Sequence, residues 1–70
     1  MTKDRAELLS LIAQLSDAVP EQRLGQLVAN LATVARGAIE GAIWDCEDEE
    51  FLPAARRMLE HYRGRESDVA

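Results

Sequence analysis

The apolar residues of this chain recur at the spacing of an α-helix, most densely in the segment between Pro20 and Gly37. Its apolar face consists of Leu24, Leu27, Val28, Leu31, Val34 and Ala35, and Ala29, Ala32 and Ala38 widen that face. A helix that is apolar nearly all round is unstable with one side in water. We therefore expect this segment to be covered on two sides, by its own chain or by another.

The pattern predicts an all-α fold, a small three-helix bundle with helices over residues 3–18, 21–36 and 48–63. It forms a single helical domain over residues 1–70, in which residues 65–70 are a polar, frayed tail. Helices one and two are joined by a short connection, which favours an antiparallel hairpin. Helix two is expected at the centre, with helix one on one side and helix three on the other.

Local signals set the predicted helix ends. Thr2 can cap helix one, and Pro20 ends it because the residue before a proline avoids the helical region. Gly37 is typical of a C-cap of helix two. Pro53 is tolerated best near a helix start, which favours Asp48 over Asp45 as the first residue of helix three. The segment between helices two and three is interpreted as a short loop with room for one helical turn.

Length and charge limit what the chain can do. With 70 residues and a lone cysteine, Cys46, it has a small core and no internal disulfide. Self-association as a homodimer is the simplest source of further stability, and another protein is the alternative partner. No secretory signal or membrane span is recognised, so we expect a cytoplasmic protein without membrane contact. The net charge is −5, and its whole excess lies in the acidic block, residues 45–50.

Nucleic-acid binding needs a basic face, which this composition does not offer. Four arginines of helix three do raise the alternative of a small helix-turn-helix transcription regulator. They are Arg56, Arg57, Arg63 and Arg65. The carboxylates where that helix begins would repel phosphate, so no nucleic-acid partner is expected.

No catalytic or metal-binding motif is recognised. Cys46 and His61 are 15 residues apart, roughly 22 Å along a continuous helix, and cannot meet within one chain. Cys46 is interpreted as a partly buried packing residue and His61 as a surface residue. The acidic block lacks the spacing of a calcium loop, and its carboxylates instead favour a helix N-terminus. We expect no enzyme activity, no metal and no cofactor.

Polar and aromatic residues form a candidate interaction or structural seam. Helix two carries a polar line that includes Gln26 and Asn30, which can bond each other at i, i+4 spacing. Asn30 either sets the register of a partner or faces a solvated strip. Trp44 is interpreted first as a core residue, with an interface anchor as the alternative. The full set is Arg23, Gln26, Asn30, Trp44, Asp45 and Asp48.

Two motifs carry a resemblance. R-L-G-Q-L-V-A-N-L at residues 23–31 and I-W-D-C-E-D-E-E-F-L at residues 43–52 resemble those of a group of short uncharacterised bacterial proteins. The resemblance implies a bacterial origin and no activity. It suggests that the seam residues work together, and one hypothesis is that Arg23 meets the acidic block. The sequence thus predicts a non-enzymatic protein-interaction module that self-associates through helix two.

Overall fold

A computed structural model describes residues 1–69 of the chain, with side chains as far as residue 64. Within this part all regular structure is helical and no strand is present. The elements are α1 (Lys3–Ala18), α2 (Leu24–Arg36), α3 (Ala42–Asp45) and α4 (Asp48–Val69). The prediction of an all-α fold is therefore confirmed, and the single turn α3 occupies the segment interpreted as a loop.

Helix α1 has the predicted bounds. The Oγ1 atom of Thr2 accepts a hydrogen bond from the backbone N–H of Arg5 at 3.1 Å, which satisfies one of the free donors at the helix start. At the other end the N–H of Val19 donates to the carbonyl of Leu15, and Pro20 follows. Leu8, Leu15 and Val19 are buried, as the helical spacing predicts.

Helix α2 begins three residues later than predicted. Pro20 lies in a turn closed by a bond from the N–H of Gln22 to the carbonyl of Val19, a position at which proline is favoured. Arg23 is the N-cap residue, and its N–H donates to Oε1 of Gln26 at 2.9 Å. This bond is the second half of a capping box, so the start at residue 21 was wrong.

Two glycines shape the segment between α2 and α3. Gly37 has φ +88° and donates its N–H to the carbonyl of Thr33, which ends α2 where predicted. Gly41 has φ +79° and ψ 0°, a left-handed conformation that costs a residue with a Cβ atom about 1–2 kcal/mol. The left-handed backbone at Gly41 changes the direction of the chain, and α3 begins at the next residue, Ala42, whose side chain is buried.

Helix α4 begins at Asp48, as predicted, after the cap residue Glu47. The carbonyl of Glu47 accepts from the N–H groups of Glu50 and Phe51, and the Glu50 side chain accepts from the Glu47 N–H at 3.2 Å. The helix continues to Val69, beyond its predicted end at residue 63. The polar, frayed tail was predicted for residues 65–70, whose side chains lie outside the described part of the chain.

The central helix is α4, not helix two as predicted. Helix α4 packs against both α1 and α2, whereas α1 and α2 contact each other little. Leu15 of α1, Leu27 and Leu31 of α2 and Ala55 of α4 meet in the core almost completely shielded from solvent. The other core residues are Leu8, Val19, Ala32, Ala42, Phe51, Leu52 and Leu59.

Within the described residues, no helix is both long enough and apolar enough to cross a membrane.

Candidate interaction surface

Large apolar side chains remain exposed, and they concentrate in one part of the chain. Of the seven exposed large hydrophobic residues within residues 1–64, five lie between residues 24 and 44. They are Leu24, Val34, Ile39, Ile43 and Trp44. Helix two is thus covered by its own chain on one side only, through contact with α4 and α3. An apolar surface that the chain leaves uncovered is a candidate for contact with a protein.

Trp44 is the most exposed of these residues, with 90% of its surface accessible. Its interpretation as a core residue was wrong, whereas Phe51, the other aromatic residue near the start of α4, is in the core. The reason lies in α3: this helix of four residues buries Ala42 and therefore turns Ile43 and Trp44 outward. The Trp44 indole is therefore exposed to solvent on a short turn that backbone hydrogen bonds hold in place.

We call the group of Ile39, Ile43 and Trp44 the α3 knob. Backbone bonds hold it in place: the carbonyl of Gly41 accepts from the N–H groups of Trp44, at 3.1 Å, and Asp45, at 2.9 Å. All three side chains of the knob are exposed, as is the neighbouring Asp45 carboxylate. The knob therefore combines apolar side chains with a negative charge.

A groove lies between α2 and α4, which we call the α2–α4 groove. It has a volume of about 390 Å³ and is lined by Val34, Arg57, Met58, His61 and Tyr62. The His61 and Tyr62 rings meet edge to face with centroids 5.5 Å apart. Exposed Arg57 and His61 accompany the partly buried Met58 and Tyr62. The groove thus has an apolar lining and basic side chains.

A second, smaller groove of about 180 Å³ separates α2 from α3. Alanine, glycine and threonine line most of it, with Ile39 and Ile43 at its α3 side.

Two arginines bind the acidic block. Arg5 of α1 donates to Asp48 through Nε at 2.7 Å and Nη2 at 3.2 Å. Arg36, in the last turn of α2, donates to Glu50 with the same pair of distances. These bidentate pairs attach α1 and α2 to the first turn of α4, where the helix dipole also favours carboxylates.

The ion pairs also affect protonation. Hydrogen bonding from Arg36, followed by that from the Glu47 backbone, lowers the pKa of Glu50. The hydrogen bond to Asp48 raises the pKa of Arg5, and the one to Glu50 raises the pKa of Arg36. The Arg36–Glu50 pair therefore favours the charged form of both its members.

Arg23 is not one of these partners. It lies at the N-terminus of α2, roughly 20 Å by helical rise from Arg36 at the other end, which is the end beside the acidic block. The hypothesis that Arg23 meets the block was wrong. Arg36 could have been found from its place in the last turn of helix two, but no local signal identified Arg5.

The remaining seam residues are not brought together. Gln26 bonds the Arg23 backbone, and no Gln26–Asn30 bond is present among the described side chains. Asn30 is exposed and faces the solvated strip of α2, the second of the two predicted alternatives. Asp45 is exposed at the α3 knob, and Asp48 is engaged by Arg5.

Cys46 and His61 do not share one continuous helix: Cys46 follows α3, and His61 lies within α4. Cys46 is partly buried against the core, and its burial, together with nearby Glu50, raises the pKa of the thiol. A protonated thiol is a poor nucleophile at neutral pH. His61 is exposed in the middle of α4. Across residues 1–64, no three His, Cys, Asp or Glu side chains are grouped to hold a metal ion.

Two of the arginines considered for nucleic-acid contact join α1 to α4 instead. Arg56 pairs with Glu7, and Arg63 donates to Oε1 of Gln14 at 2.6 Å. Arg57 points to the other side of α4, where it lines the α2–α4 groove. Among the described side chains of α4, Arg56, Arg57 and Arg63 therefore do not form one continuous basic face.

Comparison with protein-family models, with curated proteins and with solved structures gives no match to this chain.

Proposed function

We propose that this protein is a non-enzymatic interaction module, a three-helix bundle that self-associates as a homodimer through helix two. The observation that carries the proposal is the concentration of exposed large apolar side chains between residues 24 and 44, on α2 and on the segment that follows it. The enzyme alternative has no support from Cys46, because its thiol pKa is raised.

The physical argument concerns the balance between core and surface. Leu15, Leu27 and Leu31 are the largest side chains that are fully buried. A domain of this size buries only about 60% of the surface of its unfolded chain, so burying more apolar surface against a partner adds useful stability. Of the two long helices that pack on α4, α2 exposes two large apolar side chains, Leu24 and Val34, and α1 exposes one, Leu9.

A matched pair of substitutions tests the proposal. Val34 on α2 and Leu9 on α1 are similarly exposed, at 44% and 48%. We expect Val34→Lys to reduce the molar mass measured by light scattering from that of a dimer toward the 7.8 kDa of one chain. Leu9→Lys adds the same charge on α1 and should leave the mass unchanged.

If both substitutions leave the dimer intact, helix two does not form the contact. If the unaltered chain has the mass of a monomer at every concentration, self-association itself is excluded.

A further inference from the structure

We propose that Trp44 of one copy inserts into the α2–α4 groove of a second copy, and that the two copies exchange this contact reciprocally. This inference rests on the proposed self-association and specifies how it occurs. It assigns Trp44 as the anchor, and the groove beside Val34, Met58 and Tyr62 as its receptor site.

The size of the α2–α4 groove suits the Trp44 side chain. A tryptophan side chain buries about 150–250 Å² when it is enclosed, and interface anchors are typically aromatic groups that fill a pocket. The α2–α4 groove, at about 390 Å³, has room for the indole and for part of Ile43. The α2–α3 groove is smaller, at about 180 Å³, and is already flanked by Ile43 of the same chain.

The charges also agree. Asp45 follows Trp44 directly, is exposed and has no ion-pair partner in the part of the chain with described side chains. Arg57 at the groove is likewise exposed and unpaired there. When Trp44 occupies the groove, the carboxylate of Asp45 comes near the guanidinium of Arg57. A guanidinium within about 6 Å of an indole face is attracted to it as well.

Symmetry favours a second copy as the occupant. Each chain carries one α3 knob and one α2–α4 groove, so a twofold arrangement fills both grooves and closes the assembly as a dimer. A basic peptide would match Trp44 and Asp45 but would leave the apolar groove uncovered. A second copy covers both exposed features with one kind of contact.

Trp44 is the only tryptophan of the chain, so its fluorescence reports its own surroundings. We expect its emission to move to shorter wavelength as the chain is concentrated through the monomer–dimer transition. Trp44→Ala should weaken self-association about 30-fold or more, as for an interface anchor. The far-UV circular dichroism of the Trp44→Ala chain in dilute solution should equal that of the unaltered chain, because the Trp44 side chain is exposed. Leu9→Ala is the control, since Leu9 is exposed on α1.

Charge reversal tests the orientation of the contact. Asp45→Arg and Arg57→Glu should each weaken the dimer because they place like charges together. A chain carrying both substitutions restores opposite charges across the interface and should recover most of the affinity.

The outcomes separate the two proposals. If Trp44→Ala keeps the affinity of the dimer, and if the Trp44 emission of the unaltered chain does not shift on dimerisation, this inference is overturned and self-association through helix two is left intact. A chain that stays monomeric overturns both. If a monomer instead shows the emission shift with a basic amphipathic peptide, the groove of a second copy is not the site of Trp44.

Discussion

At the scale of the residue, Glu50 connects two elements through one carboxylate. It accepts from Arg36 of α2 and from the Glu47 backbone at the start of its own helix. Both bonds favour the ionised form of the carboxylate and therefore lower the pKa of Glu50. The Arg36–Glu50 pair, which is partly exposed, therefore adds a charge-dependent contact to the packing of α2 on α4.

This arrangement predicts a loss of stability in acid. Because its pKa is lower in the folded chain, Glu50 contributes stability above the unfolded pKa of about 4.3. That contribution decreases as the pH falls through the lower folded value. We expect Glu50→Gln to have a lower melting temperature than the unaltered chain at pH 7 and a smaller difference from it at low pH. Thermal unfolding followed by circular dichroism measures both.

Glu49→Gln is the control for this experiment. It removes the same charge from the same helical turn, but Glu49 has no ion pair among the described side chains. If the two variants show the same pH dependence, the Arg36–Glu50 pair does not contribute to stability.

The sequence predicted the surroundings of some single residues correctly and those of others wrongly. Thr2 behaves as predicted because a helix cap is a local feature. Trp44 is exposed because a single helical turn can bury one face only, and the sequence does not indicate that Ala42 takes that face. Arg5 binds Asp48 from 43 residues away, a contact that depends on how α1 packs on α4.

At the scale of the element, α3 depends on the glycine before it. A Cβ atom added to Gly41 would lie 3.2 Å from the Asp45 carboxylate and would occupy a backbone with φ +79°. We expect Gly41→Ala to destabilise the fold by about 1–2 kcal/mol in urea unfolding, with a change in the environment of Trp44. An unchanged midpoint would show that α3 does not require a left-handed residue.

Gly25 gives the opposite prediction. Beyond the backbone of its own helix and its chain neighbours, no atom lies within 4 Å of a Cβ added to this residue. Gly25→Ala should therefore stabilise α2 by up to about 1 kcal/mol through its higher helix propensity, as measured in urea at concentrations that keep the chain monomeric. A loss of stability there would indicate a contact of Gly25 within its own chain.

The helix bounds were predicted correctly where a capping residue marks the helix end clearly. The start of α1 and the end of α2 were predicted from Thr2 and Gly37. The start of α2 was placed too early because Pro20 suits a turn as well as a first helical turn, and arginine is not a typical cap residue. Gly64 does not end α4, which continues to Val69.

At the scale of the whole molecule, the order of packing differs from the prediction. The uniform apolar pattern of helix two suggested that it lies between two others, but α4 takes that place. Periodicity shows how much of a helix is apolar without showing which neighbour covers it. The apolar side chains of α2 and α3 that α4 leaves exposed are the basis of the proposed dimer.

Sedimentation equilibrium of the unaltered chain over a wide concentration range tests the central claim most directly. We predict a reversible transition from the 7.8 kDa monomer to a species of twice that mass. A monomer throughout the range would contradict the account and would show that the exposed apolar residues of α2 and α3 do not mediate self-association.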